Sequence, residues 1–212
     1  MRGYGPADRL TTRLLRALLV STAGALVGAL AVHAIGGRFA AAAFVGAYLG
    51  WLLSEARITA GTPRESAAEN RTLVPYAAAR IATALAAAYA SPAVSGRAGV
   101  VLAGVFLAGV ALRAWAIHEL GAAYSHRVTP ISEGGVVGSG PYRVLRHPAY
   151  AGMLLANIGF VGYFASPASV AALALLAAAV LWRIRVEEGL LRRSSEYREF
   201  ASVRSRIVPG VW

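Results

Sequence analysis

Long apolar runs dominate this chain and leave few folds open to it. A helix needs roughly 20 predominantly apolar residues to cross a hydrocarbon layer about 30 Å thick, and the 212-residue sequence offers six stretches that approach this. The first, 14–35, is broken only by Arg16 and His33 and ends at Gly36-Gly37. The second runs from Phe39 to about Ile58. Pro75 opens the third, which Ser91-Pro92 closes, and the fourth spans 100–118. Two shorter ones, 148–163 and 168–183, are separated only by Phe164-Ala165-Ser166-Pro167. Proline cannot continue the first of these helices and is welcome in the first turn of the second, so the junction reads as a tight helical hairpin. The expected fold is therefore all-α and polytopic, with about six membrane segments, the last two paired. The first run is too long for the apolar core of a cleavable signal peptide and is expected to stay in the mature chain.

Composition agrees. Hydrophobic residues make up 57% and charged residues 15%, against roughly 45–50% and 25% in soluble domains. There is no cysteine, which excludes disulfides, thiolate nucleophiles and Cys-ligated metals. There is no lysine either, so the net charge of +11 is carried by 21 arginines, and Schiff-base and P-loop lysine chemistry are excluded. Seventeen of the 21 arginines fall on one side of a six-span topology: at the N-terminus, in the second and fourth connections, and after the last span. The positive-inside rule makes that side the cytoplasm, with both termini on it, in the cell membrane. Arginines scattered among spans do not form the basic aromatic face of a nucleic-acid binder. Arg80 and Arg113, near span ends, are expected to snorkel to the interface, and His33 to be a satisfied interfacial residue.

Two polar blocks remain. Residues 138–152 read GSGPYRVLRHPAYAG, in which a Gly/Pro turn leads to Arg146-His147 and then to Pro148 as the first residue of a helix. His147 occupies the cap position, and the helix start faces the cytoplasm as an anion-favouring end. The second block follows the last span: Arg183, Arg185, Glu187, Glu188 and a basic tail. With the hairpin turned between Ala165 and Ser166, antiparallel arms set His147 opposite Ile184 and Tyr150 opposite Leu181. His147 then lies within about one helical turn of Arg183 and Glu187, which are four apart and share a face. Acids beside an anionic leaflet gain nothing from it, so Glu187-Glu188 point to a binding site.

These residues resemble a known family. The run Gly140-Pro141-Tyr142-Arg143 through Arg146-His147-Pro148-Ala149-Tyr150-Ala151-Gly152, followed by a hairpin, Arg183 and Glu187-Glu188, is similar to the RHPxYxG and EE signatures of the integral-membrane isoprenylcysteine carboxyl methyltransferases and the related phospholipid methyltransferases. Leu112-Arg113-Ala114-Trp115, Glu196-Tyr197-Arg198-Glu199-Phe200 and Ile207-Val208-Pro209-Gly210 extend the likeness, which covers about residues 110–212; Ser194-Ser195 departs from an aromatic–glycine pair common there. The resemblance implies residues 1–98 as variable N-terminal helices with a possible part in substrate selection. It implies 99–212 as a methyltransferase core with a cytoplasmic C-terminal lid. It implies S-adenosyl-L-methionine as cofactor, with contacts at Gly134, Gly135, Val136, Val137, Tyr142, His147, Pro148, Ala149, Tyr150 and Glu187, and no metal. Arg183 matches the position that addresses the substrate and would be the catalytic residue. The partner would be a lipophilic molecule entering from the bilayer, most simply the carboxylate of an isoprenoid or prenyl-cysteine-like lipid. A nicotinamide-dependent reductase of sterol-type lipids and a non-catalytic lipid-binding membrane protein are the other readings. Abundant Ala and Gly permit close helix packing within or between chains.

Overall fold

A computed structural model describes residues 6–59, 67–121 and 136–211. Among them the fold is all-helical, with seven α-helices and no strand beyond one isolated bridge: α1 Pro6–Ile35, α2 Phe39–Thr59, α3 Ala67–Ala88, α4 Gly96–Leu120, α5 Pro148–Tyr163, α6 Pro167–Leu191 and α7 Ser195–Ser202. A 3₁₀ turn, Gly140–Arg143, precedes α5. Four helices are long and apolar enough to cross a membrane, at Ala17–Ile35, Phe39–Ala56, Gly96–Leu120 and Pro167–Leu191. The other two expected spans fall short of that standard. α5 has 16 residues, about 24 Å at the helical rise, and α3 carries Arg71 and Arg80 among its apolar residues. Pro75 does not open α3, as its place in the sequence predicts, but lies inside it. The helix starts upstream at Ala67 and gives up one backbone hydrogen bond at the proline.

The chain divides into two compact units, Met1–Gly61 and Thr62–Trp212. In the first, α1 packs on α2 and buries Leu26, Ala29 and His33 with Val45 and Tyr48. Their connection is closed by the Gly37 amide to the Ala34 carbonyl and the Arg38 amide to the His33 carbonyl, with Gly37 at φ +70°. That is the Schellman arrangement, whose left-handed position favours glycine.

In the second unit α5 packs along α4 and α6 along α3, whereas α5 and α6 touch little. Glycines explain the α4–α5 pairing. A Cβ at Gly152 would stand 2.6 Å from the Arg113 amide, and one at Gly159 would stand 2.5 Å from that of Phe106. The two backbones therefore meet where no side chain intervenes, as in small-residue packing between membrane helices. Ser166 caps α6, accepting from the Ser169 amide while the Ser166 amide donates to Ser169 Oγ, and Pro167 follows at the first helical position as expected. α6 continues past Arg183 to Leu191, so Arg183, Glu187 and Glu188 all ride on one helix.

Candidate active site

Local chemistry places the start of α5. Gly140, at φ +53°, opens the 3₁₀ turn, which buries Tyr142. The amides of Arg146 and His147 then donate to the carbonyls of Ser205 (2.8 Å) and Arg206 (3.0 Å), tying this connection to the C-terminal segment. Arg146 Nε also donates to the Arg204 carbonyl at 2.7 Å. His147 is the N-cap residue of α5 but its side chain makes no capping bond. Pro148 has no N–H, and the Tyr150 and Ala151 amides both donate to the His147 carbonyl. The Ala149 N–H is thus the backbone donor that the first turn has left for an anion, fewer than a free helix end would offer.

Arg183 is the hub of one cluster. It is 3% exposed. Its Nε donates to the Tyr150 hydroxyl at 2.7 Å and lies 3.2 Å from Glu187 Oε1, while its Nη1 donates to Thr72 Oγ1 on α3 at 3.1 Å. The Tyr150 hydroxyl in turn donates to Glu187 Oε1 at 2.5 Å. Tyr76 lies with its ring centroid 5.9 Å from the Arg183 guanidinium carbon and packs edge-on against Tyr150. A buried guanidinium without such partners would carry a large desolvation penalty.

Glu188 is the hub of the other. Its carboxylate accepts from Arg146 Nη1 at 3.1 Å, Arg206 Nε at 3.1 Å and Arg192 Nη2 at 3.2 Å. His147 stands between the hubs, with Nδ1 3.9 Å from Glu187 Oε2 and Nε2 3.5 Å from Glu188 Oε1. That second approach is not a formed hydrogen bond, and among the described residues the buried Nε2 has none. Because Arg146 lies just ahead of α5 and Arg206 in the C-terminal segment, one carboxylate fastens that segment over the start of α5.

An apolar wall adjoins these groups: Ala116, Tyr142, Tyr197, Phe200 and Ala201, with Val136, Val137 and Ala149 against it. Here Glu196 of α7 accepts from the Val136 amide at 2.8 Å. The Tyr197 hydroxyl is buried and, among the described residues, without a hydrogen bond. Burial first, and the negative charge of Glu188 second, raise its pKa well above that of a free tyrosine, so it is a neutral hydroxyl at physiological pH.

Most of the residues singled out in the sequence meet here. His147, Tyr150, Arg183 and Glu187 form one connected set, close to the register the hairpin implies. Pro148 and Ala149 begin α5 beside them, and Tyr142, Val136 and Val137 belong to the adjoining wall. Gly134 and Gly135 lie outside the described residues. Arg113 does not snorkel: it is 5% exposed and donates from Nη1 to the Ala149 carbonyl at 3.0 Å, because the glycine seam brings α4 within reach of α5. Sequence reasoning missed Thr72 and Tyr76, whose four-residue spacing on α3 is a weak signal, and it missed the Glu188–Arg146–Arg206 junction, which joins residues far apart in the chain.

Apolar helices carrying a buried cluster of arginine, carboxylate and tyrosine at helix ends define an integral membrane protein with a polar site, since ionisable groups in such surroundings are costly and mark function. Residues 101–193 match the model of the isoprenylcysteine carboxyl methyltransferase (ICMT) family, in line with the resemblance over most of α4 and the whole of α5 and α6. The match ends just before α7. No curated protein matches the chain.

Proposed function

We propose that the protein transfers a methyl group from S-adenosyl-L-methionine to a lipophilic acceptor, most simply the carboxylate of an isoprenoid or prenyl-cysteine-like lipid. The observation that carries this reading is the hydrogen-bonded set of Tyr150, Arg183 and Glu187, all inside the family-matched stretch. The residues present also suit the donor. Two buried polar atoms beside the set, His147 Nε2 and Tyr197 Oη, make no hydrogen bond among the described residues and would gain partners from a polar ligand. Glu187 suits an ammonium or ribose hydroxyls, the Ala149 N–H a carboxylate, and the wall of Tyr142, Val136 and Val137 an aromatic base; Gly134 and Gly135 would complete that stretch.

When bound, the donor supplies an electrophilic methyl group. The chain's own task is positioning. An ionised carboxylate is already a nucleophile, so no general base is required. Arg183 would hold it through parallel N–H bonds. Alignment and exclusion of water can supply roughly 7–11 kcal/mol of the barrier. The C-terminal segment, fastened through Glu188, would cover the site. We further propose that this face, with both termini, lies on the cytoplasmic side of the cell membrane, on the strength of the arginine distribution, and that the acceptor enters from the bilayer.

Calorimetry on purified protein tests the reading. S-adenosylhomocysteine is expected to bind with one site per chain; binding of reduced nicotinamide dinucleotide in its place would replace the methyltransferase reading with the reductase one.

A further inference from the structure

We infer that α3, which lies wholly before the family-matched region, supplies the residue that orients Arg183: Thr72 fixes the direction of that guanidinium and thereby sets preference for a carboxylate over a neutral lipid. The inference rests on Arg183 being the acceptor-binding residue.

Three observations carry it. Thr72 is 2% exposed, and its Oγ1 accepts from Arg183 Nη1 at 3.1 Å in a fully buried bond. That bond crosses a helix interface, from α6 to α3. Second, Tyr150 and Glu187 hold the same guanidinium at Nε. A planar fork anchored at Nε alone can swing about its stem, whereas one anchored at Nε and Nη1 cannot, so its remaining donors keep one direction. Third, Tyr76, one turn on from Thr72 and on the same helix face, lies near the guanidinium and packs edge-on against Tyr150 with centroids 6.4 Å apart. α3 therefore offers both a hydrogen-bond acceptor and an aromatic ring to Arg183. Thr72 is a positioning residue, acting through Arg183.

The test uses the full chain in detergent and three probes: farnesoate, farnesol and S-adenosylhomocysteine. Thr72→Val removes the acceptor at nearly constant shape. It is expected to weaken farnesoate binding about tenfold, in keeping with loss of a hydrogen bond to a charged group. Affinities for farnesol and S-adenosylhomocysteine should stay within about twofold, and Thr72→Ser should restore farnesoate binding. Should the valine variant fail to fold, Thr72→Ala takes its place with the same expectations. Unchanged farnesoate affinity, equal losses for farnesoate and farnesol, or a serine variant as impaired as the valine one would overturn the inference. Wild-type protein that binds farnesoate no better than farnesol would remove Arg183 as an acceptor site, and the inference with it. Failure of S-adenosylhomocysteine to bind any variant would sink the methyltransferase reading alone, since the farnesoate comparison does not depend on the donor.

Discussion

Arg183 and Glu187 sit four residues apart on one helix, and that spacing is visible in the sequence. What it hides is their contact. From spacing alone the roles separate cleanly, Glu187 to the donor and Arg183 to the acceptor. With Arg183 Nε at 3.2 Å from Glu187 and Tyr150 bonded to both, they do not. Removing Glu187 leaves the buried Arg183 guanidinium without its carboxylate partner, and removing Arg183 takes a cationic partner from Glu187. Arg183→Ala is therefore expected to lower turnover at least ~100-fold, as loss of a charge-assisted contact to the reacting group does, and also to weaken S-adenosylhomocysteine a few-fold. Glu187→Gln, which keeps the shape, should weaken S-adenosylhomocysteine about tenfold. Full retention of donor affinity in Arg183→Ala would mean that Glu187 holds its place without the arginine.

Among elements, the α4–α5 pair is the one whose packing is set by absence of side chains. Hydropathy reports that both helices are apolar but not which neighbour each chooses, and the short Phe164–Ser166 turn makes α5–α6 the natural guess. The glycines decide otherwise, because Gly152 and Gly159 let the α4 backbone approach where a Cβ would collide. Gly152→Ala is expected to destabilise the protein by about 1–3 kcal/mol through overpacking, read as a lower midpoint in thermal unfolding. Gly104→Ala, on α4 with open space around the added carbon, should be neutral or slightly stabilising, since alanine is the better helix former by up to ~1 kcal/mol. Equal midpoints for the two variants would show that the seam is loose.

Across the whole second unit, one carboxylate joins three stretches of chain: Glu188 of α6 accepts from Arg146 ahead of α5 and from Arg206 near the C-terminus. Its partner Arg192 is half exposed and adds little; Arg146 and Arg206 are the better buried pair. Glu188→Gln is expected to cost about 3 kcal/mol, the low end for breaking a buried ion pair. Trypsin should then cleave faster after the arginines between 192 and 206, while a Glu199→Gln control leaves the rate unchanged. Cleavage at the wild-type rate in Glu188→Gln would mean that the backbone bonds to Ser205 and Arg206 suffice to hold the segment. By itself the sequence determined the all-helical, membrane-type architecture, the α5–α6 turn and the gathering of His147, Tyr150, Arg183 and Glu187 near one end of it. Apolar run length, proline and glycine placement and the four-residue helical repeat are local signals, and a short turn converts them into nearby pairs. Only the tertiary structure decided that α3 reaches Arg183 through Thr72, that Arg113 is buried against Ala149, and that Glu188 rather than Glu187 fastens the tail. Each of these depends on which helix packs beside which, and that is set by close contact between residues far apart in the chain, which no local pattern records.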